Sequence, residues 1–137
     1  MNELNTYTHH IKCPPDDVDE VHDLLITVWA DRPMVSDADR YSFETAIIEL
    51  TTNVIRHGDT GSGISCLITV NVFDDRIEAL LIDTGKVVEI DLTEAAMPDE
   101  LSESGRGVPL IKALVDTFSY TRVGDVNSWQ FARKFTP

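Results

Sequence analysis

Three short segments of this 137-residue chain hold residue types whose spacing could do chemistry. The first is Glu49-Leu50-Thr51-Thr52-Asn53, with His57 four residues further on. Residues four apart on an α-helix differ by about 40° around its axis and stack on one face. A partly buried carboxylate there can be oriented to accept a proton, and an amide oxygen beside it suits the oxygen-rich, water-retaining shell of Mg²⁺. The same residues also read as a solvated helix face, with His57 placed favourably against the C-terminal dipole.

The second segment is Asp83-Thr84-Gly85 at the end of an apolar run. A carboxylate held at a strand end, where the chain must turn, can accept from an exocyclic amine such as adenine's, although the tripeptide alone is also an ordinary turn. The third is Ser104-Gly105-Arg106-Gly107 ahead of a helical pattern. Glycines let backbone approach an anion, a helix N-terminus favours phosphate, and Arg106 adds a guanidinium; a plain loop would use the same two glycines.

The elements that must position these segments follow from periodicity. Ser36 can cap a helix with Asp39 at the capping-box position, and Phe43, Ala46, Ile47, Leu50 and Val54 form its buried stripe. That helix should end where Gly58 can take the left-handed C′ conformation. An earlier helix runs from Asp16 to about Ala30, capped by Asp16 or Asp17, on the spacing of Val18, Val21, Leu25, Val28 and Trp29. A short edge strand over 5–12 stops at Pro14-Pro15.

Residues 64–73 and 76–83 have the composition of an antiparallel hairpin around Asp74-Asp75. Residues 86–104 carry scattered acids and no sustained period, which reads as a lid. A third helix follows the glycines, with Pro109 in its first turn and Leu110, Ile111, Leu114, Val115 and Phe118 at helical spacing. A second hairpin, 118–123 and a strand bearing Trp129, Phe131 and Phe135, closes around a Gly124-Asp125-Val126-Asn127 turn. The order β-α-α-β-β-lid-α-β-β predicts an α+β two-layer sandwich, a mixed and mostly antiparallel sheet with about three helices on one face, in one domain over residues 1–137 with its lid at about 86–107.

Composition removes several function classes. Twenty-four acidic against 11 basic side chains give a net charge of −13, which repels nucleic-acid backbones and anionic lipid. Neither a direct nucleic-acid role nor a membrane role is expected. No apolar run approaches the roughly 18 residues of a membrane span, and the start has no signal-peptide pattern, so a cytoplasmic protein is expected. Cys13 and Cys66 lack metal-site spacing and read as reduced packing residues.

The three segments, in this order and spacing, resemble the GHKL (Bergerat-fold) ATPases and, within them, the anti-sigma-factor serine/threonine kinases of bacterial partner-switching systems. The resemblance covers residues 5 to 135. It implies the Bergerat ATP-binding fold, ATP and Mg²⁺ as cofactors, Glu49 as catalytic general base, and Asn53 as the metal ligand. His57 matches a position where histidine is common, Asp83 with Gly85 the adenine site, and Gly105, Arg106 and Gly107 the segment that closes over the phosphates. Val87 stands where many members carry a further glycine, and Trp129 roughly where a threonine often touches adenine. The resemblance also implies an antagonist (anti-anti-sigma) protein as phosphorylation substrate, a sigma factor as sequestered partner, and a homodimer. A nucleotide-gated protein-binding switch without kinase activity is the alternative.

Overall fold

The computed structural model describes residues 5–59, 61–87 and 107–136. Strands β1 (Asn5–Cys13), β2 (Ile64–Val72), β3 (Arg76–Asp83), β4 (Thr117–Val123) and β5 (Val126–Lys134) form one sheet in the order β1-β2-β3-β5-β4. Helices α1 (Asp19–Asp31), α2 (Asp37–Gly58) and α3 (Gly107–Leu114) complete the α+β fold expected from the sequence.

Where a mixed sheet was expected, all four pairings are antiparallel. The crossover through α3 does make β4 run parallel to β3. However, β5 returns between them and pairs antiparallel with both, so the parallel strands are never neighbours. The strands alternate: β3 buries Ile77, Ala79, Leu81 and Asp83, and β5 buries Asn127, Trp129 and Phe131. These side chains meet Phe43, Ala46, Ile47, Leu50 and Val54 of α2 and Val21, Leu25 and Val28 of α1 in one core.

Four local expectations need correction. Helix α1 starts at Asp19 rather than Asp16; its N-cap is Val18, which makes no side-chain cap bond, while Asp16 accepts from the Lys12 amide in the preceding turn and Asp17 from the Asp19 amide at the helix start. Helix α2 does begin at the Ser36 cap, with the Asp39 amide donating to Ser36 Oγ at 3.1 Å. At its other end Gly58 is the last helical residue rather than a left-handed C′; the cap is Asp59 in an extended conformation, and among the described residues the positive-φ glycines are Gly61, Gly63 and Gly124. Gly58 is needed for space: a Cβ there would lie 2.8 Å from Ile64 Cδ1 and 3.4 Å from Gly85 Cα.

Val115 and Phe118 lie beyond the third helix, which ends at Leu114; Phe118 belongs to β4, as the strand reading over 118–123 has it. The last turn is also shorter than expected. Val123 pairs with Val126, so only Gly124 and Asp125 turn, with Gly124 at φ +60°, and Val126 and Asn127 belong to β5. This moves Asn127 from solvent into the core.

Cys13 and Cys66 are free and buried, as read from the sequence. Burial, then the charges of Asp16, Asp17 and Asp59, raises the Cys13 thiol, and burial followed by the Asp83 and Cys13 charges pushes Cys66 up to about 12. No described helix is long and apolar enough to cross a membrane.

Candidate functional site

The site lies where the end of β3 meets the last turns of α2. Asp83 closes β3 opposite Cys66 of β2 and Asn127 of β5, and it is 1% exposed. A buried carboxylate must have its lone pairs met. Oδ1 accepts from the Gly85 amide at 2.7 Å and from Asn127 Nδ2 at 2.9 Å, and Oδ2 accepts from Trp129 Nε1 at 2.8 Å. A carboxylate offers about four acceptor positions, so one remains on Oδ2.

Gly85 is required here by close approach. A Cβ would come within 2.9 Å of Asp83 Oδ1, Gly58 Cα and Ile64 Cδ1 alike. The turn is further fixed by Lys86 N–H donating to Gly58 O and Thr84 N–H to Ser65 O. Asn127 knits it to β5: its amide nitrogen also donates to Gly85 O and Lys86 O, and its oxygen accepts from Tyr120 and Arg122. Trp129 is 1% exposed, with Tyr120 tilted against it at 4.3 Å and Phe118 stacked at 6.2 Å between ring centroids.

From the helix side, Asn53 is buried and Glu49 half-buried, and Asn53 Nδ2 makes a long contact of 3.4 Å to Glu49 Oε1. The i,i+4 spacing thus brings them together as expected. Asn53, Val54, His57 and Gly58 of α2 line one small cavity with Asp83, Lys86, Asn127 and Trp129. Glu49 stands beside that cavity through Asn53 rather than on its wall.

Gly105 and Arg106, with most of the expected lid, lie outside the described residues. Gly107 is the first residue of α3, and Val87, near the start of the expected lid, is 53% exposed. Sequence reasoning gave Asn127 no part in the site, since its turn pattern ran through that residue, and read Trp129 as a strand residue departing from the threonine often found near adenine. The signal was available in the alternation Asn127, Trp129, Phe131, which has the period of a strand's inward face.

A family model described as "Histidine kinase-like ATPase domain" matches residues 11–129. The chain belongs to this family. It is thereby a GHKL-type, kinase-like ATPase domain, and ATP binding, typically with Mg²⁺, is what that membership implies. Among solved structures, the chain is similar to the Acinetobacter baumannii histidine kinase AdeS, with a TM-score of 0.55 and 17% identity over 98% of this chain and 70% of that one. At that identity the likeness shows the fold. A comparison with curated proteins found no match.

The residues can be tested against the ATP that the family implies. Their chemistry fits: a buried acceptor with one open lone pair lies beside an aromatic ring for the base, and a carboxylate and amide lie one helical turn apart toward a hard cation. The room does not yet fit. The cavity holds about 10 Å³, space for about one water, because the Trp129 indole and the Asn127 amide already occupy Asp83.

Proposed function

We propose that this chain is an ATP-dependent serine/threonine protein kinase acting as an anti-sigma factor, whose substrate is a small antagonist protein and whose sequestered partner is a sigma factor. The supporting observation is the convergence of Asn53, His57 and Asp83, from two elements distant in sequence, on one cavity with Glu49 in contact with Asn53. Bound ATP with Mg²⁺ would supply the transferable phosphoryl group. The chain's own residues do the rest.

Glu49, half-buried and in long contact with the Asn53 amide, would accept the proton of a serine or threonine hydroxyl. The Asn53 amide oxygen would hold the cation, and Asp83 would accept from the base. Gly105 and Arg106, ahead of the α3 start at Gly107, are assigned to the phosphates on the sequence pattern. Sequestration and release of the sigma factor would then be mass action between two protein partners, with a homodimer as the acting form.

Transfer of radiolabel from ATP to a purified antagonist tests this reading. Glu49→Gln is expected to abolish transfer while leaving nucleotide binding within about twofold, since Glu49 touches the proton and not the base. Unchanged transfer in that variant removes the assigned role. A protein-binding switch without kinase activity is the second reading, because three internal donors already occupy Asp83 and oppose base entry. Partner binding without transfer in the unmodified protein would select it.

A further inference from the structure

The donor on Asp83 Oδ2 is a ring N–H, presented by a flat aromatic system packed against a second ring. Adenine would present an N–H of its exocyclic amine, on a flat aromatic ring, to the same carboxylate. Trp129 Nε1 donates to Oδ2 at 2.8 Å, and its ring lies 4.3 Å from Tyr120, with both Asp83 and Trp129 only 1% exposed. The space left is about 10 Å³. An engineered apolar cavity that takes up benzene measures about 150 Å³, so a purine does not fit beside the indole as it stands.

We propose that Trp129 gates the base pocket: its indole stands in for the base on Asp83, and nucleotide enters only when that side chain swings away. This rests on the nucleotide-site reading above. Asn127 and Gly85 hold Oδ1 and the turn backbone from outside the contested edge, so Asp83 stays aligned when the indole leaves. Leu81 and Tyr120 flank Trp129 on the neighbouring strands, and rotation of the ring about its own side-chain bonds leaves those strand pairings intact.

Part of the binding free energy is therefore spent on releasing one hydrogen bond to a charged acceptor. That lowers apparent affinity by about tenfold to a hundredfold relative to an open pocket. Trp129 thus sets the nucleotide concentration at which the domain responds.

The test uses calorimetric ATP·Mg²⁺ titration of the full chain together with indole emission in a Trp29→Phe background, which leaves Trp129 as the only tryptophan. Saturating ATP should shift Trp129 emission to the red as the ring leaves its buried site. Trp129→Thr should bind ATP at least about tenfold tighter. Trp129→Phe, which keeps the ring and removes only the N–H, should lie between and guards against a Thr variant that does not fold. Circular dichroism confirms folding of each variant.

Measurable ATP binding with unchanged Trp129 emission, and with Trp129→Phe no tighter than the parent, would overturn the gate while leaving the nucleotide site intact. Absence of ATP binding in the parent and in both folded variants would overturn the gate and the nucleotide-site reading together. Asp83→Asn separates the two readings: in an opened pocket it should abolish binding even where the gate proposal fails.

Discussion

Replacing Asp83 by asparagine changes one oxygen into an NH₂ group at constant shape, so its cost can be worked from the three donors around it. The asparagine oxygen can keep the Gly85 amide and Asn127 on the Oδ1 side, at 2.7 and 2.9 Å. Its NH₂ then faces the indole N–H that now sits 2.8 Å away, donor against donor. Losing one bond to a charged acceptor costs about 1.5–3 kcal/mol, and the two retained bonds weaken because the acceptor is neutral. Relief from burying a charge returns part of this. The net expectation is a loss of about 2 kcal/mol.

For a chain of 137 residues that loss lowers Tm by roughly 6–8 °C, and at a urea slope of about 2 kcal/mol/M it moves the midpoint by about 1 M. Urea unfolding followed by circular dichroism, without nucleotide, measures it. A double-mutant cycle with Trp129→Phe isolates the clash: in that background the substitution should cost about 1 kcal/mol less. A loss below about 0.5 kcal/mol with no coupling to Trp129 would refute the bonding scheme around Asp83. The ligand-free cost also bears on nucleotide assays, because loss of ATP binding in Asp83→Asn is informative only at temperatures where that variant is folded.

Two further outcomes are expected. Asp39 is 1% exposed, and although burial opposes its ionisation, bonds from the Thr136 amide and hydroxyl, Ser36 and Arg133 hold its carboxyl below the usual range. A depressed folded pKa means that its contribution is present above the unfolded value of about 3.9 and is lost as pH falls through the folded value. Asp39→Asn should therefore destabilise at pH 7 and flatten the stability profile below about pH 4, read by urea midpoints across pH. Gly85→Ala should cost about 1–3 kcal/mol, since its Cβ would meet Gly58 backbone at 2.9 Å; a midpoint equal to the parent's would show that the turn yields freely.

The fold was legible wherever one face of an element is buried. Helix α2 is announced by Ser36 and by an apolar stripe at helical spacing, and the β2–β3 hairpin by two β-branched runs. Glu49 and Asn53 meet because one helix fixes both, so local spacing suffices. Sequence reading failed where tertiary context decides. Gly58 looked like a left-handed cap, but it is glycine because Ile64 and Gly85 press on it. Asn127 looked like a turn residue because asparagine favours turns and a Gly-Asp pair stands just ahead of Val126, whereas a two-residue turn left it inside β5. Likewise, the start of α1 was drawn to Asp16 by acids of which Asp16 serves the preceding turn and Asp17 the first helical amide.

The strand order explains why the least legible residues are the ones nearest the chemistry. Inserting β5 between β3 and β4 sets Asn127 opposite Asp83 and Trp129 opposite Leu81, across 44 residues of sequence for the first pair. Their side chains share the inward face because a strand's period is two; a one-residue slip of β5 would turn both outward and leave Asp83 buried with the Gly85 amide as its remaining donor of the three. The two-residue turn at Gly124-Asp125 pins β5 to β4 and so helps to hold this register. A site of this kind depends on a turn about 40 residues from its carboxylate. Local motifs identify the carboxylate and the helix pair, but what occupies the carboxylate is decided by register.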